Sequence, residues 1–541
     1  MASRKPRKTL DADATGPAWR DISSWNGSMW LRVLVCVQLV ILAWRFSPQL
    51  DNNGDNAVYV ILSQSLTDGE GYRQMHVPGE PRESLHPPLF PLMLAAARAL
   101  WDNLILAKIM VALFAVCATL LCYHYFKPQL RYLTLPFLIL VVTSGMLSEY
   151  STILMSEIPY VVLSIGALLL YDRSVSRPDN RLLFWGAIAA SVLPAQVRGV
   201  GLSFTAAWIA GTLLTKRYRY AVAHAGVYLL AFFAVRAVMS SSDSYLNHLF
   251  LRNTYDPEMG YATLQEMGLR VWANMGRYAG TLVRTSLMPV PGKIPPGIAK
   301  TVSTIFVGLV CVGWLRTLLS GRRLLALYVF FYFGILCLWQ VQWSGERFVI
   351  GILPMLYAFL LLGLEAVLAF FDPERTQAAT AFFRRLAAEF PSSLSPRKMR
   401  AVWAVLACVA AVNLYWQITA ARHTGRMSPD WRNYYSCADW ARIHTPADAV
   451  IMSRKSELFY LRSRRKGLNY PYTHDVEKVI ETMEKEGVTH VVHDNFGWTK
   501  TTAKYLYPAI VSHPDRFRIV YALKNPDTYV LEFLRDAPPG S

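Results

Sequence analysis

Long apolar runs joined by short basic or polar turns fill most of the chain, and the pattern gives way near residue 420 to ordinary mixed sequence. Runs of spanning length lie at 29–46, 104–126, 132–147, 158–171, 182–197, 200–215, 220–239, 302–319, 324–343, 348–371 and 401–420, which predicts about eleven transmembrane helices. Between the first two runs, Val58, Ile61, Leu62 and Leu66 fall on one helical face over 55–66, the spacing of a helix lying flat in the membrane interface. Residues 87–101 are apolar but open on a double proline, and read as a partly inserted helix. The stretch 240–300 is rich in Met, Tyr, Pro and Gly and reads as a long loop. After residue 421, the segments 449–453, 489–493, 518–521 and 528–531 have strand character and 475–486 has helical spacing, so the tail predicts a small α/β domain. No glycine-rich phosphate loop opens any of its helices.

The basic residues order these elements across a membrane. Arg4, Lys5, Arg7 and Lys8, then Lys127 and Arg131, Arg173, Arg177 and Arg181, Lys216, Arg217 and Arg219, Arg322 and Arg323, and the stretch 375–400 all fall on one side if the spans alternate. Lysine and arginine accumulate on the cytoplasmic side. The expected division is therefore a cytoplasmic tail over 1–28, a transmembrane domain over 29–421 with outer loops at 48–88 and 240–300 and a cytoplasmic segment at 372–400, and an extracytoplasmic α/β domain over 422–541.

Composition agrees. The 541 residues are 53% hydrophobic, with a formal charge of +18 and a mean hydropathy of +0.25. Because the positive charges sit in turns between apolar runs, they are topological and do not form a nucleic-acid face. Of the cysteines, Cys437 alone lies in the polar tail, and there is no CxxC pair, so neither a disulfide framework nor a cysteine metal site is expected. The basic start lacks the short apolar core of a signal peptide. The expected setting is a bacterial inner membrane, crossed many times.

The same topology carries Asp51, Asp55, Glu70, His86, Glu149, Glu157, Arg198, Glu346 and Arg347 to the outer face. Ionisable groups at a lipid–water boundary are costly unless paired, and their convergence marks a candidate reaction site. Asp55, at the start of the interfacial helix, reads equally as an N-cap and as a general base, with Asp51 its rival for the second role. His86 is suited to a phosphate or a metal met from the lipid side, or to plain interfacial packing. Glu157 is either a site acid or a first-turn acid matching the helix dipole. Arg198 interrupts an apolar hairpin and needs an anionic partner, and Arg347 beside Glu346 is suited to gripping phosphate through paired hydrogen bonds or to a salt bridge between loops.

This ordered set resembles the GT-C superfamily of membrane glycosyltransferases, particularly the branch holding protein O-mannosyltransferases and aminoarabinose transferases. The parts that match are Asp55 and Tyr59, then Gly69 and Gly71-Tyr72, His86-Pro87-Pro88-Leu89, Ser156-Glu157, Arg198-Gly199, and Glu346-Arg347 before Pro354. His86 stands where aminoarabinose transferases carry lysine, and the adjacent Asp-Glu pair of the O-mannosyltransferases is missing from the first loop. The resemblance implies a polytopic helical fold and inverting transfer of a sugar from a polyprenyl-phosphate carrier to an acceptor hydroxyl of a glycan, lipid or protein, among membrane lipids. It implies Asp55 as base, His86, Arg198 and Arg347 at the donor phosphate, and Tyr59, Glu70, Tyr72, Glu157 and Glu346 as supporting groups on the acceptor side. A divalent metal is compatible with this chemistry but required by no ligand cluster. The alternatives are a ligase acting on a lipid pyrophosphate glycan and a transporter of lipid-linked glycans; a transporter would show internal repeats and charges at mid-bilayer.

Overall fold

A computed structural model describes residues 27–239, 245–254, 259–289, 295–370, 396–422 and 425–535. The expected cytoplasmic tail and most of the 372–400 segment lie outside these residues.

Every apolar run expected to span forms a helix. In order they are α1 (Gly27–Arg45), the interfacial α2 (Gly54–Thr67), α3 (Leu89–Leu100), α4 (Leu104–Leu130), α5 (Thr134–Thr143), α6 (Gly145–Tyr150), α7 (Glu157–Ser176), α8 (Arg181–Val197), α9 (Leu202–Leu214) and α10 (Tyr218–Val238). Then follow α11 (Tyr245–Phe250), α12 (Leu264–Arg277), α13 (Val283–Leu287), α14 (Pro296–Leu319), α15 (Arg323–Leu338), α16 (Leu353–Phe370) and α17 (Pro396–Ala421). Among the described residues seven segments are long and apolar enough to cross a membrane, and Leu89–Leu100, Arg181–Val197, Gly199–Leu214 and Arg323–Leu338 are shorter apolar helices. The protein is a multi-pass membrane protein. The longest apolar segment, Leu104–Thr143, is two helices: the rings of Phe126 and Phe137 lie 5.0 Å apart, where one straight helix would separate these positions by about 16 Å.

The stretch expected to be a loop, 240–300, is largely helical among its described residues. Its α12 has an inverted face: Leu269 is 62% and Trp272 75% exposed, while buried Arg270 donates to the carbonyls of Leu249 (2.8 Å) and Leu251 (2.7 Å). Apolar side chains outward and polar side chains inward are what a lipid-facing helix demands, because the hydrocarbon has no partners for polar groups. A periodicity that assumes apolar-inward packing hides such a helix.

The tail carries α18 (Pro429–His444), α19 (Ser456–Ser463), α20 (Val476–Lys485) and α21 (Tyr507–Ser512) around five strands, β1 (Ile451–Met452), β2 (Gly467–Leu468), β3 (His490–His493), β4 (Phe517–Leu523) and β5 (Thr528–Phe533). The sheet order is β2-β1-β3-β5-β4, parallel at β1–β2 and β1–β3 and antiparallel from β3 to β5 and β5 to β4. This domain is seated on the first loop. Ala57 of α2 packs into a core with Trp431, Tyr434 and Phe459, the Tyr435 hydroxyl donates to Asn52 (3.0 Å), and Lys466 pairs with Glu80 (2.6 Å). A side chain at Gly54 would run into Glu457 at the start of α19. The first loop is thus clamped between helices and tail, which fixes α2 and everything it carries.

Candidate functional site

Asp55 sits in the first turn of α2, and the cap belongs to its neighbour: the Asn53 side chain accepts from the Asp55 amide at 3.2 Å. With the capping task done by Asn53, the Asp55 carboxylate is free to point elsewhere. It pairs with Arg347, which lies in the tight turn Glu346–Ile352 leading into α16. The same guanidinium donates through Nε to Glu157 at 2.7 Å.

Glu157 opens α7 and is 1% exposed, and its Oε1 also takes Arg198 at 2.6 Å. Arg198 is aimed by the α8–α9 hairpin, whose closeness needs glycine: a side chain at Gly201 would strike the Pro194 carbonyl. Ser156 completes the chain, accepting from Arg198 (3.1 Å) and meeting the Tyr59 hydroxyl (3.0 Å). Asp55, Arg347, Glu157, Arg198, Ser156 and Tyr59 therefore form one continuous polar network built from four separate stretches of chain. A buried carboxylate held by two guanidinium groups is strongly anchored, since removing it would leave two cations without their counter-charge.

His86 reaches the network from the other side. Its ring stands edge-on to Tyr59, 5.2 Å between centroids, and its Nδ1 is 3.2 Å from Glu83. Glu83 has no exposed surface and accepts from the amides of Ser84 (3.0 Å), Leu85 (2.7 Å) and His86 (3.1 Å) as well as from Gln74 (3.0 Å). It is the knot that folds the loop before the prolines. Pro88 then begins α3 in helical backbone geometry instead of extending the approach.

These groups line a cavity of about 580 Å³ that includes Asp55, Tyr59, His86, Arg198, Glu346 and Arg347. One wall is apolar, made by Leu336, Trp339, Trp343 and Phe348, and the tail contributes Lys455. Burial opposes charge on Asp55, but Arg347, His86 and Lys455 outweigh it and hold the carboxyl well below the usual carboxylate range. Burial likewise opposes a proton on His86, yet Glu83 and Asp55 carry its pKa above that of a free imidazole. Against its own burial, the His86 charge and the loop amides bring Glu83 down to about 2. At neutral pH the cavity presents an ionised aspartate among cations.

Not all expected residues meet here. Tyr72 is buried below the cavity and donates to the His86 carbonyl at 2.8 Å, a support for the loop. Glu346 lines the cavity while accepting from Thr285 at 3.3 Å. Asp51 turns into a neighbouring cavity of about 600 Å³ and faces Lys108 at 3.6 Å. Glu70 lies outside the cavity lining: it is exposed at the turn after α2, and its carbonyl accepts from Arg73 at 3.1 Å. The turn that Gly69 and Gly71 make, both at positive φ, carries that side chain out to solvent. Glu83 and Lys455 were not singled out from the sequence. The spacing of Glu83 three residues before His86 was the one available signal; nothing near Lys455 points to a partner some four hundred residues earlier. Among the described residues no three His, Cys, Asp or Glu side chains cluster as a metal site.

Known structures share this architecture. ArnT from Cupriavidus metallidurans bound to undecaprenyl phosphate superposes with a TM-score of 0.56 at 12% identity, over 93% of this chain and 98% of that one. The Archaeoglobus fulgidus oligosaccharyltransferase tethered to an acceptor peptide gives 0.56 at 11% identity, over 95% and 75%. AglB of that organism, with an inhibitory peptide and a dolichol-phosphate, gives 0.54 at 12% identity, over 87% and 70%. The chain has the GT-C fold. No family model matches the sequence, and no curated protein matches it. Shared GT-C architecture at such low identity leaves the chemistry to be argued from the cavity.

Proposed function

We propose that this protein is an inverting glycosyltransferase that moves a sugar from a polyprenyl-phosphate carrier to an acceptor hydroxyl at the extracytoplasmic face of the membrane, in bacteria the inner membrane. The observation that carries this reading is the pairing of Asp55 with Arg347 inside a cavity that has one apolar wall and four cationic side chains. The likeness to a full-length structure bound to undecaprenyl phosphate supports the same reading.

Such a donor already carries its leaving group, so the protein must orient it, neutralise charge on the departing phosphate and take a proton from the acceptor. Arg347, Arg198, His86 and Lys455 supply the positive field. Arg347 and Arg198 are both engaged with carboxylates. An arriving phosphate competes with Asp55 for Arg347; as that pair loosens, the proton affinity of Asp55 rises toward that of an ordinary carboxylate. The base is thus held inactive until the donor is seated. The acceptor oxygen then attacks the anomeric carbon from the face opposite the phosphate. Its proton passes to Asp55, the carbon–oxygen bond to phosphate breaks with its electron pair, and polyprenyl phosphate leaves.

In proteoliposomes supplied with lipid-linked sugar, Asp55→Asn is expected to lower transfer by about 10²–10⁴-fold, the usual worth of a positioned base, while carrier binding persists. Turnover within about twofold of the parent protein would remove Asp55 from the mechanism.

A further inference from the structure

A cluster of arginines lies not at the site above but at the opposite end of the bundle. Helix α7 is 20 residues long, so Glu157 at its start and the cluster at its end are roughly 30 Å apart. There the turns α7–α8, α9–α10 and α14–α15 converge on a cavity of about 1000 Å³, whose lining includes Arg173, Arg177, Arg217, Arg322 and Arg323. Asp172 is the one carboxylate among the lining residues, and Arg322 takes it at 3.3 Å. Arg217 donates to the Tyr171 hydroxyl at 2.9 Å and Arg323 to the Leu214 carbonyl at 3.3 Å, both neutral acceptors. Asp172 also faces the charge of Arg217, so Arg173, Arg177 and Arg323 share the hollow with no lining carboxylate left to balance them.

A topological charge bias explains basic turns, but it does not require three turns to aim their arginines into one cavity. The inner wall is apolar, made by Tyr125, Leu169, Leu183 and Leu324. Leu182, Leu213 and Leu214, which adjoin the lining residues Leu183 and Thr215 along the chain, are 83%, 46% and 59% exposed. A hollow lined by both cations and apolar side chains, next to helix ends with exposed leucines, fits an amphiphile with an anionic head. Guanidinium groups are matched in geometry to phosphate oxygens.

We propose that this cavity is a binding site for the phosphate headgroup of an anionic glycerophospholipid. It is independent of the transfer site and does not rest on the function proposed above. The test is native mass spectrometry of delipidated protein in detergent, titrated with phosphatidylglycerol, with phosphatidylcholine or with inorganic phosphate. One phosphatidylglycerol per chain is expected to be retained saturably, with phosphatidylcholine much weaker. The triple variant Arg173→Gln, Arg177→Gln, Arg323→Gln is expected to weaken retention by at least about tenfold, the scale implied by losing several interfacial cations. A control triple, Arg181→Gln, Lys216→Gln, Arg219→Gln, removes the same charge from positions outside the cavity lining and is expected to retain the lipid. Equal retention of both lipids, equal loss in the two variants, or saturation by inorganic phosphate without lipid retention would each overturn the proposal.

Discussion

Glu83 is a small residue-scale device with a large reach. By accepting from three successive amides and from the His86 ring, it sets both the position and the charge of the imidazole. The raised pKa of His86 means that the folded protein holds this proton to higher pH than a free imidazole does. The stability it contributes is complete below the unfolded value and is lost as pH rises through the folded one. Glu83 runs the other way: its stabilisation is complete above the usual carboxylate range and is lost as pH falls toward about 2. In Glu83→Gln the alkaline limb of the donor KM profile is therefore expected to move to lower pH, since His86 loses the carboxylate that holds its proton. An unchanged profile would reduce Glu83 to loop packing. Glu157 offers a second test at this scale. Glu157→Ala leaves Arg198 and Arg347 without their shared counter-ion and is expected to cost about 3–5 kcal/mol, read as a lowered thermal midpoint of purified protein. Asp55, His86, Arg198 and Arg347 were legible in the sequence because an ionisable residue beside an apolar run has few inexpensive explanations. Glu83 was not, because an acid in a polar loop looks like any other; Glu70, a similar acid in the same loop, is exposed and outside the cavity lining.

At the scale of elements, legibility follows what each helix face meets. Runs such as α7 and α16, buried in the bundle, are mostly apolar and were found from the length of their apolar stretches. Helix α12 was missed, since its Leu269 and Trp272 face outward and its Arg270 faces inward. The tail strands β3, β4 and β5 showed in their β-branched composition, whereas β1 is part of a longer expected strand and β2, two residues long, carries too little pattern to register. Arg270 tests the reading of α12. Arg270→Ala would leave the Leu249 carbonyl without its donor, at about 1–3 kcal/mol, while the Leu251 carbonyl keeps Gln340 at 2.6 Å, and α12 is expected to loosen, with faster proteolysis near 245–277. Proteolysis identical to the parent protein would show that other contacts hold the helix.

The whole molecule brings one face of the bundle and the tail together over the first loop, so that a cation from residue 455 helps to charge a carboxylate at residue 55. The order of the helices was readable from the apolar runs. The seating of the tail was not, because it rests on single contacts such as Tyr435 to Asn52 that leave no periodic trace. If the tail is extracytoplasmic, a cysteine placed at exposed Lys485 is expected to react with a membrane-impermeant maleimide in spheroplasts, and one at Arg177 only after permeabilisation; the reverse would invert the topology. The account stands most directly on the exchange of partners at Arg347. A structure determined with a polyprenyl monophosphate bound is expected to show phosphate oxygens accepting hydrogen bonds from Arg347 and the Asp55 carboxylate released toward the open cavity. A phosphate seated elsewhere, with the Asp55–Arg347 pair intact, would contradict it.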